Sequence, residues 1–301
     1  MIYTLTLNPS LDYHIYKPEF IKGEVNRAND TYITFGGKGL NVSSALAVLN
    51  TKSVALGFAG GFCGKEIKRL LDEKGIRNKL IDISPENSRI NIKLHSDSDT
   101  DINAPGPKPS EKQLGLLISL LSLLKENDVL CLCGSAPDTE SFRKIISSVD
   151  SCVKLVADVD GENLKEAVLH KPFLVKPNEK ELLELFSETD NSEQNIIKLG
   201  SRLRSFGIEF VLISRGEKGL LLLSQSGIYK AEGIKGIPLN TVGAGDFSVA
   251  GFLSEYLNSF NEISALKSAL SASAAKVFSK EDPGYFDMRK YANIAEIKKI
   301  K

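Results

Sequence analysis

The sequence predicts an α/β fold: a mostly parallel sheet with helices on both faces, plus a small separate sheet. Three observations carry this. From Ser110 onward, short and almost purely apolar runs alternate with helix-length segments, the rhythm of strands buried on both faces of a parallel sheet. Residues 12–16 and 89–95 alternate with period two, which fits strands covered on one face only. Glycine-rich stretches at 36–41 and 241–246 run directly into apolar helices, an arrangement that points backbone N–H groups at an anion.

Composition narrows the function. The 301 residues suffice for one large α/β domain or two moderate ones, and we read a single domain over 1–301. Apolar content of 42% and charged content of 25% are ordinary for a globular chain. Basic and acidic residues balance at 38 each, so nothing in the net charge favours nucleic acid or an anionic membrane. The longest apolar runs, Val129–Cys133 and Leu220–Leu223, are strand-sized and too short to span a bilayer. No secretory signal precedes the first strand, which points to a cytoplasmic protein. Cys63, Cys131, Cys133 and Cys152 lack metal or redox spacing, and His14, His95 and His170 are scattered, leaving no dedicated transition-metal site.

In order, Ile2 to Leu7 is a strand ending in the Asn8-Pro9-Ser10 turn. A half-exposed strand follows around Asp12–Tyr16, then a polar link at 22–28 and a strand at 31–35. Gly36-Gly37-Lys38-Gly39-Leu40-Asn41 opens the helix Val42–Leu49, with Lys38 and Asn41 as ligand donors. The strand Ser53–Phe58 leads to helix 65–74. Gly60–Lys65 imitates a P-loop, but Ala59 replaces its first glycine and Glu66 its hydroxyl residue, so it is rejected.

Arg89, Asn91, Lys93 and His95 alternate with Ile90, Ile92 and Leu94. With the Asp12 strand they form the small sheet, a lid over about 11–35 and 88–104, whose apolar face needs a cover from a subunit or the body. Asp101–Pro107 breaks the strand pattern and returns the chain to the body. Helices at 110–126, 139–148, 178–186 and 193–206 then interleave with strands at 128–133, 153–158, 172–176 and 210–214. A strand at 220–223 and an extended run 229–239 precede helices 247–257, 261–280 and 288–300. Polar residues just past several strand ends (Ser135, Asp158, Lys176, Ser214) mark one shared ligand site.

Thr241-Val242-Gly243-Ala244-Gly245-Asp246 organises the rest. A carboxylate in the first turn of an anion-binding helix is odd company for phosphate unless it accepts a proton. The plainer reading makes Asp246 a helix cap.

Seven motifs in order raise the first reading: TLNPSLD, GEVNRA, GGKGLNV, SRINIKL, INAPGP, KPNEKEL and TVGAGD. With them the chain resembles the ribokinase/PfkB carbohydrate kinases, nearest the branch acting on phosphorylated ketohexoses. The resemblance implies a ribokinase-like three-layer α-β-α core with a β-sheet lid that pairs with a second subunit's lid. It implies ATP-dependent phosphorylation with Mg²⁺, and fructose 1-phosphate as the favoured acceptor ahead of tagatose 6-phosphate. A catalytically silent sugar-phosphate sensor is the reading from another class. By motif position Asp246 becomes the base, with Gly243, Ala244 and Gly245 as the anion hole. Asp12 and Asn41 take sugar hydroxyls, and Gly36 and Gly37 permit close approach. Lys38, Arg89, Ser135 and Arg27 are candidates for the substrate phosphate, Arg27 from a neighbouring subunit. Lys176, Asn178, Ser214, Gly216, Gly219 and Thr241 face the nucleotide, while Asn178 and Glu181 order magnesium through water. The chain departs from the branch at Ser135-Ala136-Pro137-Asp138, at Asp158-Val159-Asp160-Gly161 and at Arg215, which stands where leucine is common.

Overall fold

A computed structural model describes residues 1–136 and 138–301, leaving Pro137 of the Ser135–Asp138 departure outside the described residues. The chain opens with β1 (Ile2–Thr6), β2 (Ser10–Tyr16), β3 (Asp30–Gly36), α1 (Lys38–Val48), β4 (Ser53–Ala59), α2 (Gly61–Glu73) and β5 (Arg77–Asp82). It continues through β6 (Arg89–His95), β7 (Thr100–Asn103), α3 (Glu111–Leu121), β8 (Val129–Cys133), α4 (Thr139–Ser147), β9 (Lys154–Asp158), α5 (Gly161–Leu169) and β10 (Leu174–Val175). Next come α6 (Glu179–Phe186), α7 (Glu193–Arg204), β11 (Phe210–Ser214), β12 (Gly219–Leu223) and β13 (Ile228–Glu232). The chain closes with α8 (Ala244–Ser259), α9 (Glu262–Val277), α10 (Tyr285–Lys290) and β14 (Ile297–Lys299).

The main sheet has ten strands in the order β14-β13-β12-β11-β10-β9-β8-β1-β4-β5. Pairings from β5 to β11 are parallel, and the last three strands add antiparallel. Its strands are apolar on both faces because both are covered. Leu130 and Leu132 of β8 join Leu114, Phe142, Leu164 and Leu199 under α3, α4, α5 and α7. Cys131 and Cys133 point the other way, against Val42, Phe252 and Leu266 of α1, α8 and α9. The result is the three-layer α-β-α core that the sequence predicts.

The second sheet runs β3-β2-β6-β7 and rises from the edge of the body, where Leu11 and Phe35 pack with Ile67 and Leu71 of α2. In register, Ser10, Asp12 and His14 lie beside Arg89, Asn91 and Lys93. This polar face is turned inward, with Asn91 and Lys93 buried, while Ile33, Ile90 and Ile102 stay 45%, 41% and 57% exposed on the outside. With its polar face inward and its apolar face outward, the small sheet inverts the usual sheet amphipathicity.

Several expectations are corrected. The helix expected over 288–300 is the short α10, a 3₁₀ turn at Tyr291–Asn293 and the edge strand β14. Strand β14 pairs with β13 through Tyr229↔Lys299, so an available sheet edge overrode local helix propensity. Residues 101–103 belong to β7 rather than to a return loop, α3 stops at Leu121, and β13 ends at Glu232 instead of extending to 239. Strand β5 and helix α5 were not anticipated. Both are short, and β5 mixes charged residues into an edge strand.

Candidate active site

Helix α8 starts at Ala244 because Gly243 caps it at φ +81°, a left-handed value that residues with a Cβ rarely adopt. The cap bends the chain so that Asp246 enters the first turn and is buried. The loop before it separates two cavities. One, of about 380 Å³, is lined by Ser214, Gly216, Gly219, Ala244, Gly245 and apolar Leu270, Val277 and Phe278. The other, of about 820 Å³, lies between body and lid and is lined by Asp12, His14, Asn41, Lys93, Val242 and Lys276 among others. Thr241 lines both. An apolar-walled cavity and a polar cleft therefore meet at the glycine loop, beside the carboxylate.

Among the described residues the Asp246 carboxylate is bonded by another side chain and not by the helix backbone. Asn41 donates from Nδ2 to Asp246 Oδ2 at 2.7 Å. Close by lies Asp158, fully buried at the end of β9, bonded through one oxygen to Lys38 Nζ at 3.1 Å and Lys176 Nζ at 3.3 Å. Burial, then the charge of Asp158, push the Asp246 carboxyl up to about 7, opposed by the Asn41 hydrogen bond, Lys38 and Lys176. Burial would also raise Asp158, but the two ammonium groups outweigh it and hold that carboxyl below its usual range. Two carboxylates in one site are thus driven apart, the arrangement that separates a permanent anion from a proton acceptor. Asp158 Oδ2 is buried without a hydrogen-bond partner among the described residues.

The substrate-side candidates divide. Asp12 accepts from Ser10 Oγ at 2.7 Å and Asn91 Nδ2 at 2.9 Å, and its carboxylate lies against Gly36, where a Cβ would collide with it. Gly37 caps α1 at φ +120° with Thr6 packed on it. Arg89 is half-buried, lines neither cavity, donates from Nη1 to the Ala104 carbonyl at 3.3 Å and leaves Nε buried without a partner among the described residues. Lys38 belongs to the buried charge group with Asp158 instead of standing free, and Asn41 holds Asp246. Ser135 is exposed just after Gly134 at the end of β8, and Arg27 is exposed on the segment between β2 and β3, both lining neither cavity.

On the other side, Lys176 Nζ lies against Gly245 of the glycine loop. Asn178 and Glu181 form a reciprocal capping box at the start of α6, each side chain accepting from the other's backbone N–H at 2.8 Å. Glu181 Oε1 takes no part in that box. Ser214 bridges to Asn178 in the sheet, and its N–H donates to the Pro177 carbonyl at 3.0 Å. Among the described residues no cluster of three or more His, Cys, Asp or Glu could hold a metal by itself. Asp158 was legible from sequence only as one of the strand-end residues of the shared ligand site, without a chemical role, and Asn91 only as a polar position of its strand. A charged residue closing an apolar strand at the ligand edge was the available signal for Asp158.

Residues 6–284 match the family described as pfkB family carbohydrate kinase. The chain belongs to that family. Among pfkB relatives it is 36% identical to a 1-phosphofructokinase of Bacillus subtilis, covering 93% of this chain and 94% of the relative. It is 34% identical to a D-tagatose-1-phosphate kinase of Bacillus licheniformis over 93% of each chain. Among solved structures it resembles phosphofructokinase-2 of Escherichia coli in complex with substrates and products, with a TM-score of 0.91, 24% identity, and 97% and 98% of the two chains covered. That likeness bears on the fold. As a pfkB carbohydrate kinase, the protein carries its glycine loop and Asp246 where two cavities meet.

Proposed function

We propose that this kinase phosphorylates a phosphorylated ketohexose with ATP, fructose 1-phosphate first among candidates. The observation that carries the reading is the meeting of the two cavities at Thr241–Asp246. The apolar-walled cavity suits an adenine and ribose, and the polar cleft suits a sugar held by Asp12 with its phosphate near Arg89, whose buried Nε lacks a partner among the described residues. Phosphoryl transfer asks for positioning and charge neutralisation more than covalent chemistry. Asp246 takes the proton of the acceptor hydroxyl, that oxygen bonds the γ-phosphorus, and the bond to the ADP oxygen breaks. Lys38, Lys176 and the first-turn N–H groups of α8 receive the charge of the transferring group.

Magnesium bound to the phosphates would neutralise their charge. Glu181 and Asn178 would hold it through water, and the partnerless Asp158 Oδ2 is a further oxygen a hydrated cation would satisfy. Named relatives include both a 1-phosphofructokinase and a D-tagatose-1-phosphate kinase, which keeps tagatose phosphates, tagatose 6-phosphate included, as the second reading. Among the described residues no helix is long and apolar enough to cross a membrane. The exposed outer lid face suits pairing with a second copy, bringing Arg27 towards the partner's substrate. Coupled ATP turnover against fructose and tagatose monophosphates tests the assignment. Turnover with none of them, alongside tight sugar-phosphate binding, identifies a sensor instead.

A further inference from the structure

We propose that Arg215 is a positioning residue that locks the nucleotide loop onto the helix bearing Asn178 and Glu181. Ser214, Gly216 and Gly219 wall the smaller cavity, and Gly216 and Gly219 sit at φ +57° and +90°. Such a loop has much conformational freedom to lose when a ligand must be held in one geometry. Its backbone is pinned by Arg215 N–H to the Gly219 carbonyl at 3.0 Å and by Lys218 N–H to the Arg215 carbonyl at 3.1 Å.

The Arg215 side chain does not line the cavity. It turns into the protein, where its guanidinium is only 2% exposed. Nε donates to Glu179 Oε1 at 2.7 Å and Nη1 to Glu193 Oε2 at 2.6 Å. Those carboxylates are the first residues of α6 and α7, a position where helix N-termini already favour negative charge. Lys218 and Lys230 brace the same acids from outside at 3.4 and 3.0 Å. One planar fork therefore ties the nucleotide loop to two helix starts, one of them adjoining the Asn178–Glu181 box. A guanidinium committed to two carboxylates acts through the loop and not by touching a phosphate. Leucine cannot make this tie, and lysine can meet one carboxylate well but not both.

The inference rests on the nucleotide reading of the smaller cavity. Its test is calorimetric binding of magnesium with a non-hydrolysable ATP analogue, beside steady-state KM for the acceptor sugar. Arg215→Leu is expected to weaken analogue binding about tenfold through lost preorganisation, while acceptor KM stays within about twofold. Arg215→Lys falls between, and Glu179→Gln weakens the analogue in the same sense. The Arg215→Leu/Glu179→Gln double variant should be no worse than Arg215→Leu alone, because the two share one interaction. Should Arg215→Leu not fold, Glu179→Gln carries the test. A variant that lowers Tm yet leaves analogue affinity unchanged, or weakens both substrates equally, overturns the positioning role alone. Wild-type protein that binds no adenine nucleotide overturns the proposed function and this inference together.

Discussion

Asp246 is held by opposing forces whose balance makes testable demands. Its carboxyl is raised to about 7 by burial and by Asp158, and a proton acceptor must be ionised, so kcat/KM is expected to rise with pH up to about 7 and then level. Asp246→Asn keeps the Asn41 contact region but cannot accept the proton, and should lower kcat by about 10² or more with little change in either KM. Stability should move the other way. A raised carboxyl stabilises the fold fully below its unfolded value of about 4, and that contribution is lost as pH rises through about 7. The Tm advantage of Asp246→Asn over wild type should therefore grow between pH 5 and pH 8 in thermal melts. An unaltered rate would return Asp246 to the role of helix-start residue. Arg89, with its Nε buried and partnerless among the described residues, is expected to act on one substrate only. Arg89→Ala should raise KM for the sugar phosphate tenfold or more and leave KM for ATP near its starting value, on the order of one lost charge-assisted contact. Equal changes in both would reject that role. The types of these residues were readable from motifs; their partners were not. Asn41 was assigned to a sugar hydroxyl and is found on Asp246, a pairing across 205 positions of sequence.

At the scale of elements, the segment after α9 is fastened to the body by one carboxylate. Asp282 accepts from Lys74 Nζ after α2 at 2.5 Å, from Lys276 Nζ on α9 at 2.9 Å, and from Ser44 Oγ on α1 at 3.0 Å. Burial would raise this carboxyl, but Lys276 and Lys74 outweigh it and hold it well below the usual carboxylate range. By linkage its contribution is present above the unfolded value of about 4 and is lost as pH falls below it. Asp282→Ala strands the buried Lys276 ammonium and should cost about 3 kcal/mol at neutral pH, shrinking towards pH 3, as read by denaturant melts. Element types were most legible where the pattern was long and local: α8, α9 and the strands β8 and β9. They were least legible where context ruled. Residues 288–300 look helical in isolation, yet β13 offers an unpaired edge that Ile297–Lys299 complete. The short α5 and β5 carry too few turns or alternations to stand above the background.

For the whole molecule the lid is the part without a complete environment. Ile33, Ile90 and Ile102 form an apolar outer face on a sheet whose inner face is polar, and contiguous exposed apolar surface of this kind is characteristic of an interface. We expect a dimer in solution by sedimentation. Ile90→Lys should shift the mass towards a monomer and raise KM for the sugar phosphate, because Arg27 would then lose its acceptor site in the neighbouring subunit. A wild-type monomer at micromolar concentration would remove the dimer and the role of Arg27 together. The sequence by itself determined the alternation of strands and helices, the ordered motifs and the carboxylate after the glycine loop, because periodicity and turn chemistry are properties of neighbouring residues. Tertiary structure decided which lid face looks inward and which lysines share Asp158. It also decided that Asn41 steadies Asp246 and that Arg215 binds two helix starts. Those outcomes depend on the charge and desolvation of groups far apart in the chain, such as Lys38 and Asp158, 120 positions from one another, and only the packed sheet brings them within reach.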